Sequence, residues 1–206
     1  MELKLYVDRL SQPSRALLIF CKANGIEFEE VSIELGKLQH RSPEYAEINP
    51  MKQVPAIVHG DFKLSESHSI LIYLASAFPG VAEHWYPADV HKRAKIHSVL
   101  DWHHSNLRRG SLGYHFNTGI ALAFGRPLDP KAAAEDLALV CEIMQLEVAE
   151  EKDRDRILGK HKRVLKWIED TKNATTPYFD EFHSLLPLAK EKLKELKAKQ
   201  ANNEGK

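Results

Sequence analysis

The sequence predicts an α/β domain followed by an all-α domain. Strand and helix signals alternate over residues 1–78, whereas only helical periods occur from residue 89 onward. Proline and glycine are concentrated between these two parts, which is typical of a connecting segment. We therefore expect an N-terminal domain at 1–78, a linker at 79–88 and a helical C-terminal domain at 89–206.

The first elements are a strand and a helix. Leu3, Leu5 and Val7 alternate with more polar residues, a period of two that indicates a half-buried strand. Pro13 begins a helical pattern, and Asn24-Gly25 ends it, because glycine tolerates the left-handed backbone that follows many helices.

The next elements extend the α/β pattern. Val31 and Ile33 indicate a second strand, and the polar segment 36–47 has several candidate helical turns. Two apolar runs flank Gly60 and predict a β-hairpin, because glycine suits a tight turn. Residues 65–78 then have the periodicity of a third helix, and serine precedes its first apolar position.

The second half has helical periodicity alone. Apolar residues recur at helical spacing in three segments, at 96–107, 137–148 and 164–168. The tail at 188–199 is charged and contains strong helix formers. This half is therefore predicted to be all-α.

Charge and hydropathy exclude two classes of partner. Of the 206 residues, 29 are lysine or arginine and 29 are aspartate or glutamate, so the basic surplus of a nucleic-acid-binding protein is missing. The longest apolar stretch, 70–78, is too short to span a bilayer. With no leader pattern at the start, we expect a cytoplasmic protein, with the nucleus as the alternative, and neither nucleic-acid nor membrane partners.

Cysteine and histidine offer no site of their own. Cys21 and Cys141 each lie on an apolar helical stripe and are predicted to be core residues. The 11 histidines show no spacing suited to metal ligands, so no metal is expected.

Ser11 is the first candidate for chemistry. It precedes the first helix, where backbone N–H groups and the helix dipole favour an anion. The hydroxyl is therefore either a helix cap or a donor to a bound anion, and the cap is the simpler interpretation.

Two further junctions carry similar alternatives. A cis Val54-Pro55 bond would leave the Val54 backbone available to an extended peptide ligand. Glu66-Ser67 offers a carboxylate, a hydroxyl and backbone donors, or else a capped helix. Together with Ser11, these groups suit a small peptide with one positive and several negative ends.

These motifs and two others occur together in a family-specific order. The combination resembles a theta-class glutathione S-transferase of the plant type, over nearly all of residues 1–132 and again from about residue 136. The motifs are Ser11-Gln12-Pro13-Ser14-Arg15-Ala16, Asn49-Pro50-Met51-Lys52-Gln53-Val54-Pro55-Ala56, Glu66-Ser67-His68-Ser69-Ile70-Leu71-Ile72-Tyr73-Leu74, Trp85-Tyr86-Pro87 and Leu107-Arg108-Arg109.

The resemblance implies an architecture and an activity. It implies a thioredoxin-like N-terminal domain that binds glutathione, a helical domain that supplies the electrophile pocket, and a homodimer. The implied reaction joins the glutathione thiolate to small electrophiles, with reduction of organic hydroperoxides as a second activity. Glutathione would be a co-substrate, and no other cofactor is implied.

The resemblance also implies roles for individual residues. Ser11 would donate a hydrogen bond to the glutathione sulfur and stabilise the thiolate. Residues 104 and 108 share a polar helix face with 97 and 101, which is either the wall of the electrophile cleft or a solvated surface. The implied glutathione-binding residues are His40, Lys52, Gln53, Val54, Pro55, Glu66 and Ser67, and those of the electrophile site are His104 and Arg108.

One segment departs from the family pattern. Residues 127–135 run directly into Asp136, where the family has a further helix and a loop, and Ala133 replaces the family's capping residue. The helical domain is therefore expected to be shortened near 133–136. The alternative to an active transferase is accordingly a non-catalytic glutathione- or ligand-binding protein.

Overall fold

A computed structural model describes residues 2–123, 125–129, 131, 159 and 162–204. The chain forms two compact units, one made of Met1–His97 with Thr175–His183, and the other of Ser98–Ala174 with Ser184–Lys206. The expected domain boundaries near residues 78 and 89 stay a prediction. The expected shortening near 133–136 lies outside the described residues.

A four-stranded mixed sheet forms the centre of the first unit. Its strands are β1 (Leu3–Val7), β2 (Glu29–Ser32), β3 (Ala56–His59) and β4 (Phe62–Ser65), in the spatial order β2-β1-β3-β4. β1 is parallel to β2, and β3 is antiparallel to both β1 and β4. β3 begins after Pro55, because proline has no N–H to contribute to the ladder.

Between residues 12 and 77, three helices accompany the sheet: α1 (Gln12–Ala23), α2 (Pro43–Ile48) and α3 (Ser67–Ala77). Residues of β1, β3, α1 and α3 pack together in the core, since Leu5, Leu17, Ile57, Ile70 and Leu74 are all fully buried. This arrangement confirms the predicted thioredoxin-like α/β domain. Short 3₁₀ turns lie at Leu35–Lys37, Gln39–Arg41 and Glu83–Trp85.

Every described element after residue 89 is helical, which confirms the predicted all-α part. In the described part of the chain, no helix is both long and apolar enough to cross a membrane. Two π-helical segments, His103–Leu107 and Phe116–Ile120, lie among these helices. The helices are α4 (Val90–Trp102), α5 (Arg108–His115), α6 (Lys162–Thr175), α7 (Tyr178–His183) and α8 (Leu186–Glu204), with one helical turn at Ala121–Ala123.

In the second unit, α8 packs against the second π-helical segment. Gly119 is buried there, and a Cβ at this position would lie 3.4 Å from Cε of Lys197. A methyl group at position 119 would therefore be in ordinary van der Waals contact with the Lys197 side chain.

The short helix α7 completes the core of the first unit. It packs against α1, and its Phe182 side chain is 1% exposed among the core residues of the sheet and α1. The Arg9 guanidinium lies 4.9 Å from the centre of the Phe182 ring. Local sequence patterns did not indicate this contribution of α7.

We expect Phe182→Ala to lower the free energy of unfolding by about 3–5 kcal/mol, because it removes a fully buried ring from a packed core. The control is Leu188→Ala, at a side chain that is 68% exposed, with an expected change within about 0.5 kcal/mol. Urea denaturation measures both. If Phe182→Ala and Leu188→Ala lowered the free energy of unfolding by the same small amount, α7 would contribute nothing to this core.

Cys21 is fully buried in α1, and burial raises the pKa of its thiol to about 12. A protonated, inaccessible thiol does not react with thiol reagents. In a Cys141→Ser background, we therefore expect no labelling of Cys21 by an aromatic disulfide reagent at pH 8 until denaturant is added. Stoichiometric labelling of the native chain would contradict the packing of this helix.

Candidate functional site

Strand direction brings four segments of the chain to one edge of the sheet. β1, β2 and β4 all run in one direction, and β3 runs in the other. Tyr6 is paired with Ala56, which is in turn paired with Ser65. Val7 is paired with Ser32. The ends of three strands and the start of β3 therefore lie in one row.

The predicted site residues of the first unit lie on the segments that leave or enter this row. Ser11 follows β1, His40 follows β2, Val54 precedes β3, and Glu66 and Ser67 follow β4. Because the strand order is β2-β1-β3-β4, these residues occur along the edge in the order His40, Ser11, Val54 and then Glu66 with Ser67.

Ser11 is the residue before α1, and it is half-buried with extended backbone angles of φ −78° and ψ 119°. Its carbonyl accepts the hydrogen bond from the Arg15 N–H at 3.1 Å. Its side chain makes no capping hydrogen bond within the described residues. The cap interpretation of the Ser11 hydroxyl is therefore wrong, and the alternative, a donor to a bound anion at this helix N-terminus, stays a prediction.

The turn before Ser11 is stabilised by hydrogen bonds within the turn and by hydrogen bonds from the Arg15 side chain of α1. The Ser11 N–H donates to the Asp8 carbonyl at 2.9 Å, and the Leu10 N–H donates to Asp8 Oδ1 at 2.8 Å. Arg15, only 2% exposed, donates from Nη1 to the carbonyls of Arg9 and Leu10, each at 3.0 Å. These bonds satisfy buried polar groups and fix the turn.

Arg9 ties the same turn to β2. Its guanidinium donates two hydrogen bonds to the Glu30 carboxylate, both at 2.8 Å, and this pairing raises the pKa of Arg9. Two parallel N–H···O bonds fix orientation as well as distance. Arg9 therefore acts as an anchor of the turn.

His40 lies in the second of the two 3₁₀ turns that follow β2. Its ring is half-buried, and Nδ1 is buried without a hydrogen-bond partner among the described residues. Burial lowers the pKa of His40 below its usual 6.5, Arg41 lowers it further, and Asp8 acts in the opposite direction. The imidazole is therefore mainly neutral at pH 7.

The loop before β3 is organised by two buried polar residues that the sequence analysis did not single out. The Tyr45 hydroxyl and Asn49 Nδ2 both donate to the carbonyl of Gln53, at 2.6 and 2.8 Å. Asn49 Oδ1 accepts from the Met51 N–H, and the Asn49 carbonyl accepts from the Lys52 N–H. The available signal was an asparagine followed by a proline, which commonly begins a turn.

Beyond this loop, the Val54 backbone is not part of the sheet. Lys52 has a positive φ of 55°, and the side chains of Lys52 and Gln53 are exposed. The Val54-Pro55 bond is cis, as the sequence analysis considered. The ladder starts at Ala56, and within the described residues no backbone hydrogen bond involves Val54. Its N–H and C=O are therefore available to a ligand with an extended backbone.

Glu66 precedes α3 in a strained conformation. Its φ of 70° lies in the left-handed region, which non-glycine residues rarely adopt and which is found most often at functional sites. Its side chain makes no capping bond within the described part of the chain, and Ser67 is the first residue of α3. The capped-helix alternative is therefore wrong for Glu66.

His104 and Arg108 belong to the second unit. His104 lies in the first π-helical segment and is exposed, and Arg108 begins α5 and is half-buried. Such segments are rare and frequently occur at functional sites. The role of both residues at an electrophile site stays a prediction.

Comparison with known proteins identifies the family. Residues 1–76 match the family model of the glutathione S-transferase N-terminal domain. Glutathione S-transferase T1 of Arabidopsis thaliana is 55% identical and aligns over 93% of this chain and 91% of its own length. Mouse glutathione S-transferase theta-1 is 42% identical over 78% of this chain and 68% of its own.

Comparison of structures gives the same result. Human glutathione transferase theta-2, solved in complex with glutathione and an unknown ligand, superposes with a TM-score of 0.79 and 27% identity. The match covers 94% of this chain and 90% of the human chain. With a curated relative at 55% identity over nearly its full length, the chain belongs to the theta class of the glutathione S-transferases.

Proposed function

We propose that this glutathione S-transferase joins the glutathione thiolate to small electrophiles, with the Ser11 hydroxyl as hydrogen-bond donor to the sulfur. The observation that carries the proposal is the row of segments at one sheet edge, with a hydroxyl at the α1 N-terminus that caps no helix among the described residues. Glutathione has a charged group at each end and a thiol in the middle, which matches the order of these segments.

The dimensions of the edge suit a tripeptide. Neighbouring strands lie about 4.8 Å apart, so four strands span about 14 Å. Three extended residues span about 10 Å. A thiol held near the end of β1 therefore leaves the two ends of glutathione within reach of side chains that follow the outer strands.

In this arrangement, the glycine carboxylate faces the β2 side. His40, Lys52 and Gln53 surround it in the proposal, and a lysine ammonium and a neutral imidazole can both donate to a carboxylate. Family members often carry lysine at the position of Gln53. An amide donates hydrogen bonds but adds no charge, so we expect somewhat weaker binding of this end.

The other groups of glutathione face β3 and α3. The free backbone of Val54, followed by Pro55, would pair with the cysteinyl residue as an additional strand pairs with a sheet edge. Glu66 would bind the γ-glutamyl ammonium, and the Ser67 hydroxyl and the α3 N-terminus would bind the γ-glutamyl carboxylate.

The energy of one hydrogen bond is sufficient for this mechanism. A cysteine thiol has a pKa of about 8.5, and lowering it by about two units requires about 2.7 kcal/mol. A hydrogen bond to a charged group contributes about 1.5–3 kcal/mol. The N-terminus of α1 adds about 0.3–1 kcal/mol.

The chemistry that follows is displacement or addition at the electrophile. The sulfur electron pair forms a C–S bond while a leaving group departs with its own bonding pair, and Arg108, with His104 nearby in sequence, would stabilise negative charge there. With an organic hydroperoxide, the thiolate sulfur would attack the terminal oxygen, the O–O bond would break, and the departing alkoxide would take a proton to become an alcohol while the sulfur becomes a sulfenic acid. The thiol of a second glutathione would then displace the hydroxyl of the sulfenic acid as water and form glutathione disulfide.

A non-catalytic glutathione-binding protein is the alternative, motivated by the sequence near 133–136. Turnover with a small alkyl halide or an organic hydroperoxide distinguishes the two functions. Glutathione binding without turnover of any such substrate would support the alternative. A homodimer and a role in detoxification belong to the same proposal and are tested by the mass in solution and by the range of electrophiles accepted.

Ser11→Ala should raise the pKa of the enzyme-bound glutathione thiol by about one to two units, because a hydrogen bond to the thiolate is lost. Titration of thiolate absorbance against pH measures this pKa. Ser76→Ala is the matched control, since Ser76 is exposed near the end of α3. A bound thiol with the same pKa in the Ser11 variant and in the unsubstituted chain would refute the role of Ser11.

His40→Gln tests the charge state of the imidazole in glutathione binding. Because burial holds the pKa of His40 below 6.5, the ring is neutral above that pH and gains its charge only as the pH falls below it. We compare the dissociation constant of glutathione for His40→Gln with that for the unsubstituted chain. The ratio of the first to the second should stay constant from pH 7 to 8 and should increase below pH 6. Calorimetry at several pH values measures it.

A ratio that decreases steadily between pH 7 and 8 would contradict this prediction, since it would require an imidazolium with a raised pKa. The charged groups that act on His40 are Arg41 and Asp8. The substitution leaves both groups in place, so the ratio of the dissociation constants reports on the His40 imidazole itself.

A further inference from the structure

The carboxylate of Asp8 connects two segments of the sheet edge. Its Oδ1 accepts the Leu10 N–H at 2.8 Å, and its Oδ2 accepts the Leu35 N–H at 2.8 Å. Leu10 directly precedes Ser11, whereas Leu35 begins the 3₁₀ turns that lead to His40. One side chain therefore spans segments separated by 27 residues in sequence.

Few other contacts set the distance between these segments. The Ile33 N–H donates to the Val7 carbonyl at 2.8 Å, and this bond ends the pairing of β1 with β2. Arg9 then joins the turn to Glu30, which lies within β2 and not in the segment beyond it. Beyond Ile33, the bond from the Leu35 N–H to the Asp8 carboxylate is the one side-chain hydrogen bond that joins the Ser11 turn to the segment at 35–41 within the described residues.

We propose that Asp8 is a positioning residue that sets the spacing between Ser11 and His40, and thereby between the thiol and glycine subsites. The inference rests on the proposed function, since it takes Ser11 and His40 as contacts of glutathione. Asp8 would not touch the substrate.

The chemistry of the side chain explains why a carboxylate is suited to this role. Both oxygens of an ionised carboxylate accept hydrogen bonds, so Asp8 can serve two backbone N–H groups at once. Asparagine has one acceptor oxygen, and its amino group would face a second donor. Asparagine can therefore keep one of the two segments in place but not both.

A correctly spaced pair of subsites binds the whole tripeptide better than separately placed subsites do. The loss of Asp8 would let the segment at 35–41 move relative to the Ser11 turn. The glycine carboxylate would then gain less from His40 when the thiol is at Ser11. γ-Glutamylcysteine, which lacks the glycine, would not be affected by this loss.

The test compares the dissociation constants of glutathione and γ-glutamylcysteine for the unsubstituted chain, Asp8→Ala and Asp8→Asn. We expect the unsubstituted chain to prefer glutathione. This preference should fall about tenfold in Asp8→Ala, the loss expected when a charge-assisted contact is misplaced, with Asp8→Asn in between. Asp61→Ala, at an exposed residue in the β3–β4 turn, is the control and should keep the full preference.

Thermal unfolding shows that each variant is folded, and Asp8→Asn serves as the test if Asp8→Ala does not fold. An unchanged preference in a folded Asp8 variant would overturn the inference and leave the proposed function intact. Equal weakening of both ligands would also overturn it, because it would indicate a structural role alone. An unsubstituted chain that binds neither ligand would refute the proposed function, and the inference with it.

Discussion

The reversed direction of β3 is the constraint on which the candidate site depends. Because β3 runs against its neighbours, the chain enters β3 at the same edge where it leaves β1, β2 and β4. An all-parallel sheet would place the start of β3 at the far side, about 13 Å away for a strand of four residues. The Val54 backbone, the α1 N-terminus and the α3 N-terminus share an edge for this reason.

A second layer of polar residues keeps the edge in place while leaving groups there available. Asp8, Arg15, Tyr45 and Asn49 are half-buried or buried, and the bonds described here join their side chains to backbone groups of the loops. Ser11, by contrast, makes no capping bond with its side chain within the described residues. Buried hydrogen bonds thus hold the loops, so the proposed ligand contacts need not hold them.

Local patterns predicted much of this fold. The alternation around Leu5 predicted β1, the glycine at position 60 predicted the hairpin, and the helical period predicted α3. Each of these patterns involves residues only a few positions apart in sequence. The roles of Asp8 and Phe182 depend on partners 27 or more residues away in sequence, and one sequence carries no signal for such pairing. The cap interpretation of Ser11 failed for a related reason, since local sequence cannot show whether a serine before a helix bonds to that helix with its side chain.

The position of Phe182 has a consequence for how this chain matures during synthesis. The first unit includes residues 175–183, and Phe182 fills part of its core. A ribosome that has completed the sheet, α1 and α3 has therefore not yet supplied every side chain of that core. Domains usually fold in order from the N-terminus as they emerge. Here the core of the first unit lacks Phe182 until residues 175–183 have been synthesised, so this core is completed only after the segment between residues 98 and 174 has been translated.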